Sequence, residues 1–131
     1  MTKSKEQRND ARREKGKALA RKMLAGSDAK NVGPVPERFV RYTLEHVFGD
    51  VWQGDDLTLH ERELVTCTML VALNREAEMR IHFNAAHNLG LPRTRIEGMI
   101  IHAAHYAGWP CAASAFRILN EVWPVDTSAK S

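Results

Sequence analysis

Apolar and polar positions recur at helical spacing along nearly the whole chain. From about Asp10 to Leu24 the residues are mostly Ala, Arg, Lys and Glu, all strong helix formers, and Gly26 follows as a terminator. Residues 26–36 read as a loop that leads into a second helix near Glu37 to Val47, and Gly49 and Gly54-Asp55-Asp56 mark a turn around Val51 and Trp52. Thr58 and Glu61 have the spacing of a capping box, which predicts a helix running to about Leu73. A further helix is predicted from about Arg75 to Leu89, stopped by Gly90. Another opens at Pro92-Thr94-Glu97 and stops at Gly108, and a last one starts at Pro110 and halts at Pro124. Met79, Phe83 and Ala86 fall at core spacing, as do Ile96, Ile100, Ala103 and Ala107. No pair of strands is indicated, so the expected fold is all-α, a single domain of about six helices.

Length supports one domain: 131 residues bury a small core, and chains of this size often complete their burial by assembling. The net charge of +3 is unevenly spread. Residues 1–22 hold nine Lys or Arg against three acids, whereas the rest of the chain is net acidic. We therefore separate a basic N-terminal helical arm, residues 1–26, from a helical domain, residues 27–131. The arm reads as a solvated helix face rather than a nucleic-acid surface, because neither an aromatic stacking platform nor a nucleic-acid motif accompanies it. No apolar run is long enough to span a membrane, and no apolar stretch follows the charges at the N-terminus, so a cytoplasmic location is expected. Cys67 and Cys111 form no CxxC and are read as reduced, inert thiols.

Candidate chemistry centres on Arg75, Glu78 and His82, which are spaced by three and then four residues on one helix. A guanidinium, a carboxylate and an imidazole in that row could clamp an anion and move a proton. On spacing alone, such a row is more often a surface ladder of ion pairs. Arg80 lies on another face. His102 and Tyr106, four apart, could reach a common pocket. His102 and His105, like His82 and His87, lack the further ligands that zinc needs, so no metal is assigned.

Several ordered blocks resemble the carboxymuconolactone decarboxylase family. They are Phe48-Gly-Asp-Val-Trp52, Arg62-Glu-Leu-Val-Thr66, and Arg75-Glu-Ala-Glu-Met-Arg-Ile-His82 with Asn88 and Gly90. Ile101-His102, Tyr106-Ala-Gly108 and Pro110 complete the set. That family is similar to the alkylhydroperoxidase D-like proteins, whose helical bundle is the fold the resemblance implies. Laid on this sequence, the relative's Glu and His fall at Glu63 and His82, while its two redox cysteines fall at Arg75 and Glu78. Disulfide chemistry needs two adjacent thiols, so a redox role is disfavoured.

The resemblance implies decarboxylation of an unsaturated lactone acid such as 4-carboxymuconolactone in aromatic catabolism, with no cofactor because the substrate is its own electron sink. It implies catalytic roles for His82, Glu63, Glu78 and His102, with His82 as proton donor or electrostatic stabiliser. Substrate-binding roles fall to Arg75, Arg80, Tyr106 and Trp52, with Arg75 as anion clamp. It also implies a homo-oligomer, a trimer or hexamer. Two features depart from the decarboxylase pattern: Gln53-Gly-Asp-Asp56 stands where Arg-Pro-Gly is usual, and Glu63 stands where Ser is usual. The alternatives are a redox protein of the same fold and a non-catalytic oligomeric binding protein.

Overall fold

The computed structural model describes residues 2–126. In chain order it contains α1 (Lys5–Leu24), α2 (Glu37–Tyr42), a π-helical turn (Thr43–Val47), a 3-10 turn (Val51–Gln53), α3 (Leu59–Ala72), α4 (Glu76–Asn88), α5 (Arg93–Ala107) and α6 (Trp109–Val122). The described residues are all-helical, as expected, with three differences in detail. The first helix begins at Lys5 rather than near Asp10, because Ser4 and Gln7 form a capping box: Gln7 N donates to Ser4 Oγ at 3.1 Å and Ser4 N to Gln7 Oε1 at 2.8 Å. The second helix does not stay α-helical to Val47 but loosens into the π turn. Arg75 stands just outside α4, at its N-cap, with φ −93° and ψ 81°.

The π turn lies where α1 crosses it. A Cβ on Gly16 of α1 would collide with the Leu44 carbonyl, and one on Gly49 would collide with the Arg12 and Leu44 carbonyls. Two glycines thus let the backbones touch. Beyond that crossing, α1 packs along α4 with Met23 fully buried. Its C-terminal carbonyls are met from α4: Asn88 Nδ2 donates to Met23 O and Ala25 O, and Asn84 Nδ2 to Ala25 O, each at 2.8 Å.

Helix α4 is the centre of the bundle, in contact with α1, α3 and α6. Met79, Phe83, Ala85 and Ala86 on α4 share one buried core with Ile96 and Ile100 of α5 and Leu119 of α6. Of the two alanines at predicted core spacing on α5, Ala103 is buried, along with Ala104, Ala112 and Ala115, whereas Ala107 is only partly buried. Both ends of the α3–α4 pair close with the same motif. After α3, Arg75 N donates to Leu70 O and Asn74 N to Val71 O, with Asn74 at φ 56°; after α4, Leu91 N donates to Ala86 O and Gly90 N to His87 O, with Gly90 at φ 84°. The three-residue link from α3 to α4 turns the chain straight back, so the two helices face each other.

Candidate active site

The Thr58 cap fixes where α3 begins: Glu61 N donates to Thr58 Oγ1 at 3.1 Å, and Thr58 N donates to Glu61 Oε1 at 3.3 Å. From that start, Glu63, Cys67 and Val71 fall four residues apart on the face buried against the core. Glu63 is fully buried, the one charged residue so placed among the described residues. A buried carboxylate needs donors. Glu63 Oε1 has two: His82 Nδ1 at 2.8 Å from α4, and the Cys67 thiol at 3.5 Å one turn along α3. Glu63 Oε2 has none. An acceptor left unmet in this way costs about 1–3 kcal/mol.

His82 is partly exposed on its other side, with 18% of its side chain accessible. The Trp52 ring lies near-parallel to it, 6.4 Å between centroids, and Phe48 backs Trp52 at 5.9 Å. The π turn and 3-10 turn therefore bring an aromatic pair over the imidazole. With Nδ1–H held by Glu63, Nε2 is the nitrogen free to exchange a proton. The Cys67 thiol is pushed well above its ordinary range by burial and by the neighbouring Glu63 carboxylate, so it stays protonated as a hydrogen-bond donor and is not a nucleophile.

The turn that carries Trp52 is tied to α3. Arg62, one residue before Glu63, donates from Nη2 to Asp56 Oδ1 at 2.9 Å and to Gly54 O at 3.3 Å. The guanidinium holds the Asp56 carboxyl below the ordinary aspartate range through that hydrogen bond. Arg62 Nε is buried and has no partner among the described residues. On the far edge of the α3–α4 pair, His60 Nε2 meets Leu89 O at 2.7 Å.

Of the residues picked from sequence, Glu63, His82 and Trp52 come together. The others are placed apart from them. Arg75 is exposed at the α4 N-cap. Glu78 is exposed and lines a separate cleft of about 430 Å³ with Arg80, Asn84 and the 26–32 loop. Arg80 Nε is held by Glu121 Oε2 of α6 at 2.6 Å. His102 and Tyr106 are exposed on α5 with their rings 5.0 Å apart. A second cleft, of about 960 Å³, lies between α1 and the α2 region, and neither cleft is lined by Glu63 or His82. Arg62 and Asp56 were given no role from sequence, because a pair spanning six residues across a turn obeys no helical spacing rule. Among the described residues no three His, Cys, Asp or Glu side chains converge as metal ligands.

The profile of the Carboxymuconolactone decarboxylase family matches residues 37–121, from α2 into α6. The chain belongs to that family. It is similar to the 4-carboxymuconolactone decarboxylase of Acinetobacter baylyi, 33% identical over 94 residues, which are 72% of this chain and 70% of that one. It is also similar to the nitrosuccinic acid decarboxylase of Metarhizium robertsii, 28% identical over 106 residues, covering 77% of this chain and 74% of that one. The matched family segment contains the Glu63–His82 pair and its Trp52 cover, and leaves out α1. No helix among the described residues is long and apolar enough to cross a membrane.

Proposed function

We propose that this family member is a decarboxylase of a small acid, with His82 as the proton donor and Glu63 as the carboxylate that orients it. The observation that carries the reading is the 2.8 Å contact between His82 Nδ1 and the fully buried Glu63. The two named relatives act on different acids, a carboxylated lactone and a nitro acid. The chemistry common to both names is an electron-withdrawing group near the departing carboxylate. When the bond to carbon dioxide breaks, its electron pair moves into that group, as a dienolate for a lactone or a nitronate for a nitro acid. The carbon then takes a proton. In its protonated form His82 offers Nε2–H for that step while Glu63 keeps Nδ1–H, and water restores the proton afterwards. Trp52 limits access of water to the ring and gives a flat apolar wall for a conjugated substrate. The electron sink belongs to the substrate, so the reading assigns no cofactor.

Assembly of identical chains is part of the same proposal. Val65, Met69 and Leu73 form an exposed stripe on α3, and Ile101, Tyr106 and Trp109 are exposed on α5 and the start of α6. Light scattering on the purified protein tests it, and a monomer at micromolar concentration would remove it.

The activity test is loss of ultraviolet absorbance from 4-carboxymuconolactone, and separately from nitrosuccinic acid, with His82→Ala as control. Turnover of either acid that disappears in the variant is the expected result. No turnover of either acid, or of close analogues, would overturn the decarboxylase reading.

A further inference from the structure

Cys67 is fully buried, and its sulfur lies in the seam between α3 and α4, where the two members of the candidate site meet. Two acceptors are within reach of its one S–H. Sγ is 3.5 Å from Glu63 Oε1, one turn back on α3, and 3.7 Å from the carbonyl oxygen of His82 on α4. A single side chain thus touches the carboxylate of the pair and the backbone that carries the imidazole. Of the two acceptors the carboxylate has the stronger claim. It is charged, and its other oxygen has no partner among the described residues, whereas the His82 carbonyl lies inside α4 and serves the helix ladder.

A thiol is a weak donor, and its setting gives it weight here. Glu63 is out of reach of solvent, so bulk water does not replace a donor that is lost. Oε1 takes His82 Nδ1 at 2.8 Å and Cys67 Sγ at 3.5 Å, while Oε2 takes nothing among the described residues. All side-chain donation to this carboxylate therefore falls on one oxygen, from two helices and two directions. The last torsion of a glutamate is broad, and one contact alone would let the group swing about it. The second contact narrows that swing and keeps Oε1 turned toward α4. Burial and the Glu63 carboxylate hold the thiol well above its ordinary range, so it keeps its proton for this bond at neutral pH.

We propose that Cys67 is a positioning residue of the His82 site: its thiol acts through Glu63, fixing the carboxylate oxygen on which the imidazole Nδ1–H is held. The proposal rests on the reading of Glu63 and His82 as the proton-transfer pair. It gives a task in that pair to a side chain with neither a nucleophilic nor a redox role, in the way that outer partners commonly orient a working imidazole.

The test is proton NMR of the His82 Nδ1–H, which moves far downfield when it lies between an imidazole and a carboxylate and is assigned by its loss in His82→Gln. Its rate of exchange with water reports how often the Glu63–His82 contact opens. Cys67→Ala removes the donor and should speed that exchange by about three- to tenfold, the range that one lost hydrogen bond commands. Cys67→Val also lacks a donor but leaves no space behind, so it should exchange at least as fast as Cys67→Ala. Thermal melts of each variant show whether it is folded. Should Cys67→Val melt early from its extra bulk, Cys67→Ala alone decides. The proposal is overturned if the unaltered protein lacks the downfield resonance, or if folded Cys67→Ala exchanges at the original rate. It is also overturned if folded Cys67→Val restores slow exchange, since the sulfur then only fills space. The measurement needs no substrate. If exchange responds as described but no acid is turned over, the decarboxylase reading fails while Cys67 still holds the pair in place.

Discussion

His82 on α4 and His102 on α5 each have an aromatic ring beside them, Trp52 at 6.4 Å and Tyr106 at 5.0 Å. The resemblance at the level of residue types is close, and the settings are opposite. His82 has its Nδ1 on a carboxylate that water does not reach, and one side of its ring open. His102 and Tyr106 lie on an exposed helix face, and Tyr106 is 82% accessible. Among the described residues no buried acid faces His102. An imidazole becomes a directed proton carrier when one nitrogen is fixed and the other is left free, and of these two histidines it is His82 whose nitrogen is fixed by a carboxylate, across the α3–α4 seam.

The comparison can be broken first by mutation. His82→Ala should lower kcat/KM by about 10²–10⁴, the usual worth of a positioned acid or base, whereas His102→Ala should lower it far less. Steady-state assays on the acid that is turned over check this, and equal losses would erase the distinction. Next comes stability. Glu63→Ala strips a buried pair of its acid and should cost about 3–5 kcal/mol in denaturant unfolding, while His102→Ala should shift it by less than about 0.5 kcal/mol. Thiol labelling sharpens the same contrast: at pH 8 in the native protein Cys111, which is partly exposed, should react, and Cys67 should not, until denaturant is added. Burial and Glu63 raise the Cys67 thiol, so its thiolate appears only at higher pH than in an unfolded chain. The smallest effect is at the surface clasp. Asp56 is depressed by Arg62, so its contribution is present above the ordinary aspartate value of 3.8 and is lost as pH falls through the lower folded one. Asp56→Asn should flatten the acid side of the stability profile in that window.

Much of this architecture could be read from the chain. The Thr58 and Glu61 spacing marks the start of α3, Gly90 and Gly108 mark two helix ends with positive φ, and the Met79–Phe83–Ala86 row is core. The pairing of Glu63 with His82 was legible only through the family blocks, since they lie on different helices and no spacing rule joins them. The Arg75, Glu78 and His82 row misleads for a local reason. Asn74 takes the left-handed conformation that ends α3, so Arg75 belongs to a turn and not to the helix, while Glu78, on α4 with His82, lines the cleft at the 26–32 loop. The Ser4 capping box was present in the sequence but lay inside a run of charge. The π turn has no sequence signature. It follows from the contact of Gly16 and Gly49 with the backbone opposite.

That contact divides α1 into two unequal parts. Its first turns are solvated, and its later residues, Leu19, Ala20, Met23 and Leu24, pack against the core. Amide hydrogens before Gly16 should exchange with deuterium quickly through local fraying, and those beyond it at rates approaching global unfolding. Limited trypsin digestion should show the same boundary, nicking at Lys5 and Arg8 while sparing Arg21 and Lys22. The basic residues so dense in this helix thus become an internal ruler for where the folded body begins.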